Sequence, residues 1–295
     1  MSVIYHGDFG INYDEYRLGN LKQYFRGPKP DMSAPFITML GGGETFGRFV
    51  QRPFAELVGD ELPLGTVNLG LNGVGPTFYL RDTVLLDTCT RSKLCVMSVP
   101  HGYGVSNRLY SVLEHSNNQL KGVSETLLTL YPNINFQSFS SIQSMLQALY
   151  KENAANFKVV TIELRRAWVA RMRELIETIA APVILVWFSD KKPEEARFDG
   201  VFKGTGPQMV DRVMLDRLQG YPETYLEYVA SKDCVNQDCS DRVFNEGELS
   251  VARQYPGGDM HRQLAEILYP AVRNTLRART PHRQALRKTM DLLGF

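Results

Sequence analysis

The sequence predicts an α/β protein built as a three-layer sandwich, with a five-stranded, mostly parallel sheet between two layers of helices. Short apolar, β-prone runs alternate with helix-like stretches along most of the chain, and such alternation gives right-handed crossovers and a parallel sheet. In addition, three of these runs lead directly into turns rich in glycine or polar residues. Such turns place backbone N–H groups at the carboxyl edge of the sheet, where open α/β sheets bind their ligands.

The first strand is predicted at 36–40, and it leads into the segment Gly41-Gly-Gly-Glu-Thr-Phe-Gly47. Apolar residues with helical spacing follow over 47–58, so a helix is predicted to begin at the sheet edge. Two roles are open for Thr45 in this turn. Its hydroxyl either caps the helix, because threonine is favoured there, or acts as a nucleophile.

The remaining strands and core helices are predicted from the same kinds of pattern. The run at 182–188 is apolar on both faces, as expected of a central parallel strand. The other strands are predicted at 66–70, 94–99 and 224–229, and helices at 77–88, 206–218 and 259–268.

Three segments are distinguished along the chain. Residues 1–35 are predicted to be an N-terminal extension, 36–272 the α/β domain, and 273–295 a basic C-terminal tail. The domain contains a helical insertion at about 108–181, for which a lid is one interpretation. Its predicted elements are helices at 120–130, 141–150 and 157–179 and an extended piece at 134–139, and the β-branched run 159–162 makes a strand the alternative at the start of the last helix.

The composition is that of an ordinary soluble globular protein, with 43% apolar and 22% charged residues in a chain of 295. A net charge of +1 gives no general attraction to nucleic acid or membrane, so neither is expected as a partner. The N-terminus lacks the features of a signal peptide and no apolar run is long enough to span a bilayer, so a cytoplasmic location is predicted.

No cofactor and no metal are predicted, because the sequence has no phosphate-loop, dinucleotide-binding or metalloprotease motif. Cys89 and Cys95, in a helix-like stretch and an apolar run, are predicted to be buried thiols, whereas Cys234 and Cys239 share a polar loop in which a disulfide or a metal site is left open.

Polar or small residues follow the first three strands: Glu44 and Thr45, then Asn72 and Gly73, then the stretch 101–107. A histidine, His261, stands at the start of the last core helix. In this order the pattern resembles the SGNH (GDSL-like) hydrolases, which have a flavodoxin-like sheet. In that family a serine after the first strand is the nucleophile, a glycine and an asparagine after the next two strands build the oxyanion hole, and a histidine before the last helix is the base.

The resemblance assigns roles residue by residue. Gly43-Glu44-Thr45-Phe46 stands where the family has Gly-Asp-Ser-Leu, with threonine in place of serine, and 67–73 closely follows the second family block. The implied catalytic residues are Thr45 with His261 or His101. Setting Tyr255-Pro256 against the family's His-Pro puts Tyr255 at the base position instead. The implied oxyanion or substrate-binding residues are Gly43, Glu44, Asn72, Gly73, Asn107 and Arg48. The first turn also resembles that of an uncharacterised bacterial family, which implies no activity.

Two functions are therefore predicted. The first is an SGNH-like ester hydrolase or acyltransferase acting on a carbohydrate-type ester, such as an acylated polysaccharide. The alternative is a catalytically degenerate binding protein for a glycan or nucleotide. Either way the expected partner is a small molecule or glycan, and four basic residues near the sheet edge are candidates to hold an anionic or sugar group: Arg48, Arg52, Arg108 and Lys203. The basic tail is predicted to be a solvated terminal helix, with self-association into a homo-oligomer as the alternative.

Overall fold

The centre of the protein is a five-stranded sheet in which every pairing is parallel, in the order β2 (Gly65–Asn68), β1 (Phe36–Leu40), β3 (Cys95–Ser98), β6 (Val183–Ser189) and β7 (Thr224–Val229). The computed structural model describes residues 11–113, 116–231, 233–235 and 239–292, and the side chains among these except those of 116, 117 and 279–292. All five strand predictions and the three-layer α/β class are confirmed.

Helices cover both faces of the sheet. One layer consists of α3 (Pro76–Arg81), α4 (Thr83–Arg91), α7 (Ala154–Thr178) and α8 (Arg212–Asp216), and the other of α2 (Phe54–Asp60) and α10 (Gly258–Leu292). The central strand β6 is buried along its whole length. Its residues alternate between the two cores, so that Trp187 packs in the first layer and Phe188 in the second.

The insertion forms a third apolar cluster of its own. It contains an antiparallel hairpin of β4 (Tyr110–Leu113) and β5 (Ser116–Val123), followed by α5 (Glu125–Leu130) and α6 (Ile142–Glu152). The helix predicted at 120–130 is therefore wrong in its first part, because residues 120–123 pair with β4 and the Ser124 side chain caps α5. The extended piece predicted at 134–139 is also wrong, since it contains a 3-10 turn at Phe136–Ser138. The long helix is confirmed as α7.

The helix predicted at 47–58 is absent as one piece. A one-turn helix, α1 (Gly43–Phe46), comes first and ends at Gly47, whose φ of 79° lies in the left-handed region. Phe49 also has a positive φ, of 68°. The chain re-enters helix only at α2, after Pro53 at its N-cap position. The sequence pattern missed this break because apolar spacing continues across it.

Two other helix predictions are too long. Helix α8 spans only Arg212–Asp216, capped by the Asp211 side chain, because the segment before it contains Gly206 and Met209 with positive φ. The helix predicted at 77–88 is divided at Asp82, whose carboxylate accepts hydrogen bonds from two amides of α4.

The two ends of the described chain pack differently. Residues 11–35 contact the domain through buried aromatic side chains, among them Phe25. After the short helix α9 (Leu249–Ala252), helix α10 begins at Gly258 and runs without a break into the basic tail as far as Leu292. Cys89 and Cys95 are buried free thiols, as predicted, and Cys234 and Cys239 are buried and free as well. Within the described residues, no helix combines the length and apolar character required to cross a bilayer.

Candidate functional site

The candidate site is a cavity of about 1020 Å³ at the carboxyl edge of the sheet. The chain order reverses at β1, because β2 lies on one side of it and β3 on the other, and open α/β sheets bind ligands at such a switch point. The lining comes from the turns after β1, β2 and β3, from loops 202–208 and 251–256, from the insertion and from the N-terminal segment. Its size is at the upper end of the range for small-molecule sites.

The three consecutive glycines after β1 each leave room for one side chain. A Cβ at Gly41 would lie 2.1 Å from Thr45 Oγ1, one at Gly42 2.5 Å from Glu44 Oε2, and one at Gly43 2.4 Å from Tyr255 Cε1. Real Cβ atoms do not approach other atoms so closely. The glycines are therefore needed to fold the hydroxyl, the carboxyl and the phenol ring onto the turn.

Thr45 is fully buried, and its hydroxyl contacts two residues of the cavity lining, Ser98 and, at 3.5 Å, Glu44 Oε1. It lies 2.9 Å from Ser98 Oγ and 3.4 Å from the carbonyl oxygen of Leu40. The prediction that Thr45 caps a helix is wrong, because Thr45 lies inside α1. The amides of Gly47 and Arg48 donate to the carbonyl of Gly43 and not to the Thr45 hydroxyl. Thr45 is not part of the cavity lining, whereas Ser98 is.

Tyr255 closes one side of the turn. Its ring packs on Gly43, and its hydroxyl donates a hydrogen bond of 2.7 Å to Asn72 Oδ1. The guanidinium of Arg48 lies over the same ring, 5.4 Å from its centroid, and pairs with Glu248 at 3.2 Å. The loop before α10 is thereby joined to the turns after β1 and β2.

We expect Gly43→Ala to displace Tyr255 and break its bond to Asn72, with a loss of about 1–2 kcal/mol in the free energy of unfolding. Urea unfolding of Gly43→Ala, Tyr255→Ala and the double variant measures this. Since alanine at 255 removes the ring that clashes, the double variant should lose less than the sum of the two single losses. Strictly additive losses would contradict the contact.

The turns after β1 and β2 are fastened by buried polar groups. Asn68 donates to the carbonyl of Thr45 at 2.8 Å and accepts from the amide of Gly70 at 2.9 Å. The buried hydroxyl of Tyr79 lies 2.8 Å from the carbonyl oxygen of Gly41 and 2.9 Å from that of Leu69. Hydrogen bonds from buried side chains to backbone groups fix the shape of a turn. The floor of the cavity is therefore rigidly defined.

Glu44 brings a carboxyl group to this floor. It lines the cavity, and its Oε1 accepts a hydrogen bond of 2.7 Å from the amide of Gly42. Burial raises the pKa of Glu44 above its ordinary value, against the opposing effect of the backbone hydrogen bonds. A carboxyl with a raised pKa in a cavity is a candidate general acid or base.

His101, after β3, also lines the cavity. Its Nδ1 accepts a hydrogen bond of 3.0 Å from the amide of Gln208, so the neutral ring carries its proton on Nε2. Burial lowers the pKa of His101 to about 4. The ring stacks on Tyr103 at a centroid distance of 5.1 Å, and the Tyr103 hydroxyl in turn accepts from Gln143 of the insertion at 2.9 Å.

His261 is placed elsewhere. It is fully buried, its Nδ1 accepts a hydrogen bond of 3.1 Å from the amide of Phe54, and it stacks on the Phe54 ring. It contacts Phe188, which lines the cavity, but His261 does not line it. Burial, reinforced by two arginine charges, lowers the pKa of His261 to about 3. The structure therefore does not bring Thr45 and His261 together at the cavity.

Of the other site residues that the resemblance implies, all but one line the cavity. Gly43, Asn72, Gly73 and Arg48 line the cavity with Glu44. Asn107 does not, because its carboxamide oxygen accepts from the amides of Leu109 and Tyr110 and so shapes its own loop.

Several site residues were not predicted from the sequence. Ser98 ends a strand, Tyr79 belongs to an apolar pattern typical of core residues, and Tyr103 lies in the stretch 101–107 but was not singled out within it. The signal for Tyr103 was its place in the glycine-bearing loop after β3, next to His101. Nothing in the sequence indicates that Tyr79 reaches two strand ends.

Within the part of the chain that the structure describes, no three His, Cys, Asp or Glu side chains are arranged to hold a metal ion.

Comparison with known proteins gives a family and two weak structural similarities. A family model described as "Domain of unknown function (DUF6473)" matches residues 1–276. No curated protein matches the chain. The lipase Lip_vut3 from a goat rumen metagenome is 10% identical, with a TM-score of 0.39 over 80% of this chain and 97% of that chain. BT4096, a gut microbial diltiazem-metabolizing enzyme, is 12% identical, with a TM-score of 0.37 over 80% of this chain and 46% of that chain. Similarities this weak carry no argument about function.

Proposed function

Since the chain belongs to the DUF6473 family, whose description gives no activity to carry over, we propose a function from the cavity itself. We propose that the protein is an SGNH-like hydrolase or acyltransferase that acts on a carbohydrate-type ester, with Glu44 as its general base. The observation that carries this proposal is the desolvated Glu44 carboxyl in the cavity at the switch point of the sheet.

The proposed reaction uses water as the nucleophile. The Glu44 carboxylate takes a proton from a water molecule, and the water oxygen forms a bond to the acyl carbon of the ester. The negative charge that develops on the carbonyl oxygen is stabilised by N–H donors of the turn after β2, at Asn72 and Gly73. The bond to the alcohol oxygen then breaks, and the alcohol leaves with the proton that Glu44 returns. An alcohol in place of water gives acyl transfer.

His101 supports this reaction as a hydrogen-bond donor. Its accepting Nδ1 leaves an Nε2–H on the ring, and its lowered pKa keeps it neutral at physiological pH. A neutral imidazole can hold a carbonyl or hydroxyl oxygen of the substrate without bringing a second charge.

Glu44→Gln tests the proposal. We expect it to reduce turnover of acetylated sugars and short p-nitrophenyl esters at least about 100-fold, because the amide cannot accept the proton. Wild-type kcat/KM should rise with pH through the raised pKa of Glu44, since the base must be ionised. Glu177→Gln, at an exposed glutamate outside the cavity lining, is the matched control and should leave turnover unchanged.

Thr45→Val separates this mechanism from a threonine nucleophile. The variant keeps the shape of the side chain and loses the bond to Ser98 and the weaker 3.5 Å contact with Glu44 Oε1, so we expect lower stability and turnover within about 10-fold of wild type, far above that of Glu44→Gln. Turnover lost in folded Thr45→Val and kept in Glu44→Gln would overturn the role of Glu44 in favour of Thr45.

A second candidate is a non-catalytic binding protein for a glycan or nucleotide on the same fold. It is favoured by two observations: the hydroxyl of Thr45 is buried, and the Tyr255 ring covers Gly43. If wild type turns over none of the esters but is stabilised by a glycan or nucleotide in thermal unfolding, this candidate replaces the hydrolase.

A further inference from the structure

Basic side chains from four separate segments meet at the cavity. They are Lys22 of the N-terminal segment, Arg48 after α1, Lys121 of β5 and Lys203 of the loop after β6. The acidic side chains of the lining are Glu15 and Glu44. With four basic and two acidic side chains in the lining, the charge balance at the cavity is positive.

The three lysines are exposed, and they therefore stand on the rim rather than on the floor. Within the described residues, no acidic side chain forms an ion pair with Lys22. Lys203 pairs with Asp199 at 2.6 Å, but the two side chains are 58% and 54% exposed. An ion pair this exposed is weak, so an anionic ligand can replace Asp199 at little cost.

The two other arginines predicted to hold an anion are engaged elsewhere. Arg52 pairs with Glu56 and Asp60, and Arg108 makes a two-pronged pair with Glu163. Neither lines the cavity. The positive charge is thus concentrated at the rim by residues from different segments rather than spread over the surface.

An aromatic surface lies beside this rim. Tyr103 and Phe202 meet edge to face at a centroid distance of 5.2 Å, and both line the cavity next to Lys203 and Gln143. Aromatic faces flanked by amide and amine donors suit a ring that carries hydroxyl and acidic groups.

We propose that the ester bound here is an acidic sugar ester, whose carboxylate is held by Lys22 and Lys203 while its acyl group lies over Glu44. This inference rests on the proposed function for the identity of the reacting group, and on the charges of the rim for the acidic class.

Binding to two matched probes tests it by isothermal titration calorimetry, with Glu44→Gln introduced into every protein compared, wild type included, so that neither probe is hydrolysed during the titration. The probes are acetylated oligogalacturonate, which is anionic, and acetylated xylo-oligosaccharide of the same length, which is neutral. At 20 mM NaCl we expect wild type to bind the anionic probe at least about 10-fold more tightly, with the preference shrinking at 200 mM NaCl as charges are screened.

A double variant shows whether the lysines of the rim cause the preference for the anionic probe. Lys22→Gln/Lys203→Gln should lose most of the preference for the anionic probe and keep its affinity for the neutral one. Lys151→Gln/Lys158→Gln changes the net charge equally at exposed lysines outside the lining, and it should bind as wild type does. Equal affinity of wild type for the two probes, or equal losses in the two double variants, would overturn the inference.

The outcomes separate this inference from the proposed function. Glu44-dependent turnover without a preference for the anionic probe would support the hydrolase and exclude the acidic class of substrate. Preference for the anionic probe without any turnover by wild type would support an acidic ligand and favour the non-catalytic binding protein over the hydrolase.

Discussion

Replacing Gly70 by alanine is expected to lower the free energy of unfolding by about 4 kcal/mol or more, one of the largest effects of a single methyl group in this chain. The added Cβ would lie 2.2 Å from the amide nitrogen of Phe46 and 2.6 Å from the carbonyl carbon of Thr45. Both are backbone atoms of α1, so no side-chain rotation relieves the clash.

The clash cannot be relieved by moving the turns apart at low cost. Asn68 bonds to Thr45 and to Gly70 across the same gap, and that contact would break as α1 moved. We expect the loss of stability in urea unfolding to be accompanied by loss of turnover, because α1 carries Glu44.

Gly122→Ala is the control for Gly70→Ala. Its Cβ would meet only Ser111 Oγ, at 3.6 Å, and we expect a change within about 0.5 kcal/mol. If Gly70→Ala were as stable as Gly122→Ala, the close approach of the two turns would be disproved.

Acid is expected to destabilise the protein through His261. An unfolded histidine binds a proton near pH 6.5, whereas burial and the charges of Arg26 and Arg242 lower the pKa of His261 in the folded state to about 3. Between these two pKa values the unfolded chain binds more protons than the folded protein. The contribution of His261 to the free energy of unfolding is therefore fully present above the unfolded pKa and is lost as the pH falls below it. At pH 4 the loss from this residue is about 3 kcal/mol.

Urea unfolding between pH 7 and pH 4 measures this effect against His261→Gln, which has no proton to gain. Between pH 7 and pH 4 the free energy of unfolding should fall by about 3 kcal/mol less in His261→Gln than in wild type. His101, with its pKa lowered to about 4, adds a loss of the same sign, so the double variant with His101→Gln should have the flattest profile. Parallel pH profiles for wild type and His261→Gln would contradict the buried, neutral state of His261.

The sheet was predictable because its strands carry their signal locally. Each is a short apolar run bounded by glycine, proline or polar residues, and β6 is apolar on both faces. The helices were less predictable where a single backbone angle decides the outcome. Apolar spacing extends across the positive φ at Gly47 and Phe49, and it extends across the pairing of 120–123 with β4. Neither feature is visible in hydrophobic periodicity.

The candidate site was predictable by position but not by side-chain direction. The turns after β1, β2 and β3 do meet at the cavity, with Glu44, Asn72 and His101 in its lining. Whether Glu44 or its neighbour Thr45 faces the cavity depends on where α1 begins, and a shift of one residue in a helix turns a side chain by about 100°. The resemblance placed Tyr255 at the position of the base, but nothing in the sequence indicates that its ring packs on Gly43.

The floor and the walls of the cavity belong to different parts of the hydrophobic core. The floor is fixed by the sheet and by Asn68 and Tyr79, whereas Tyr103 packs in the separate apolar cluster of the insertion. Substitutions in the wall can therefore alter what is bound while the strands keep their packing. In evolutionary terms the insertion is a module in which ligand preference can diverge at little risk to folding, and in engineering terms it is the region to randomise first.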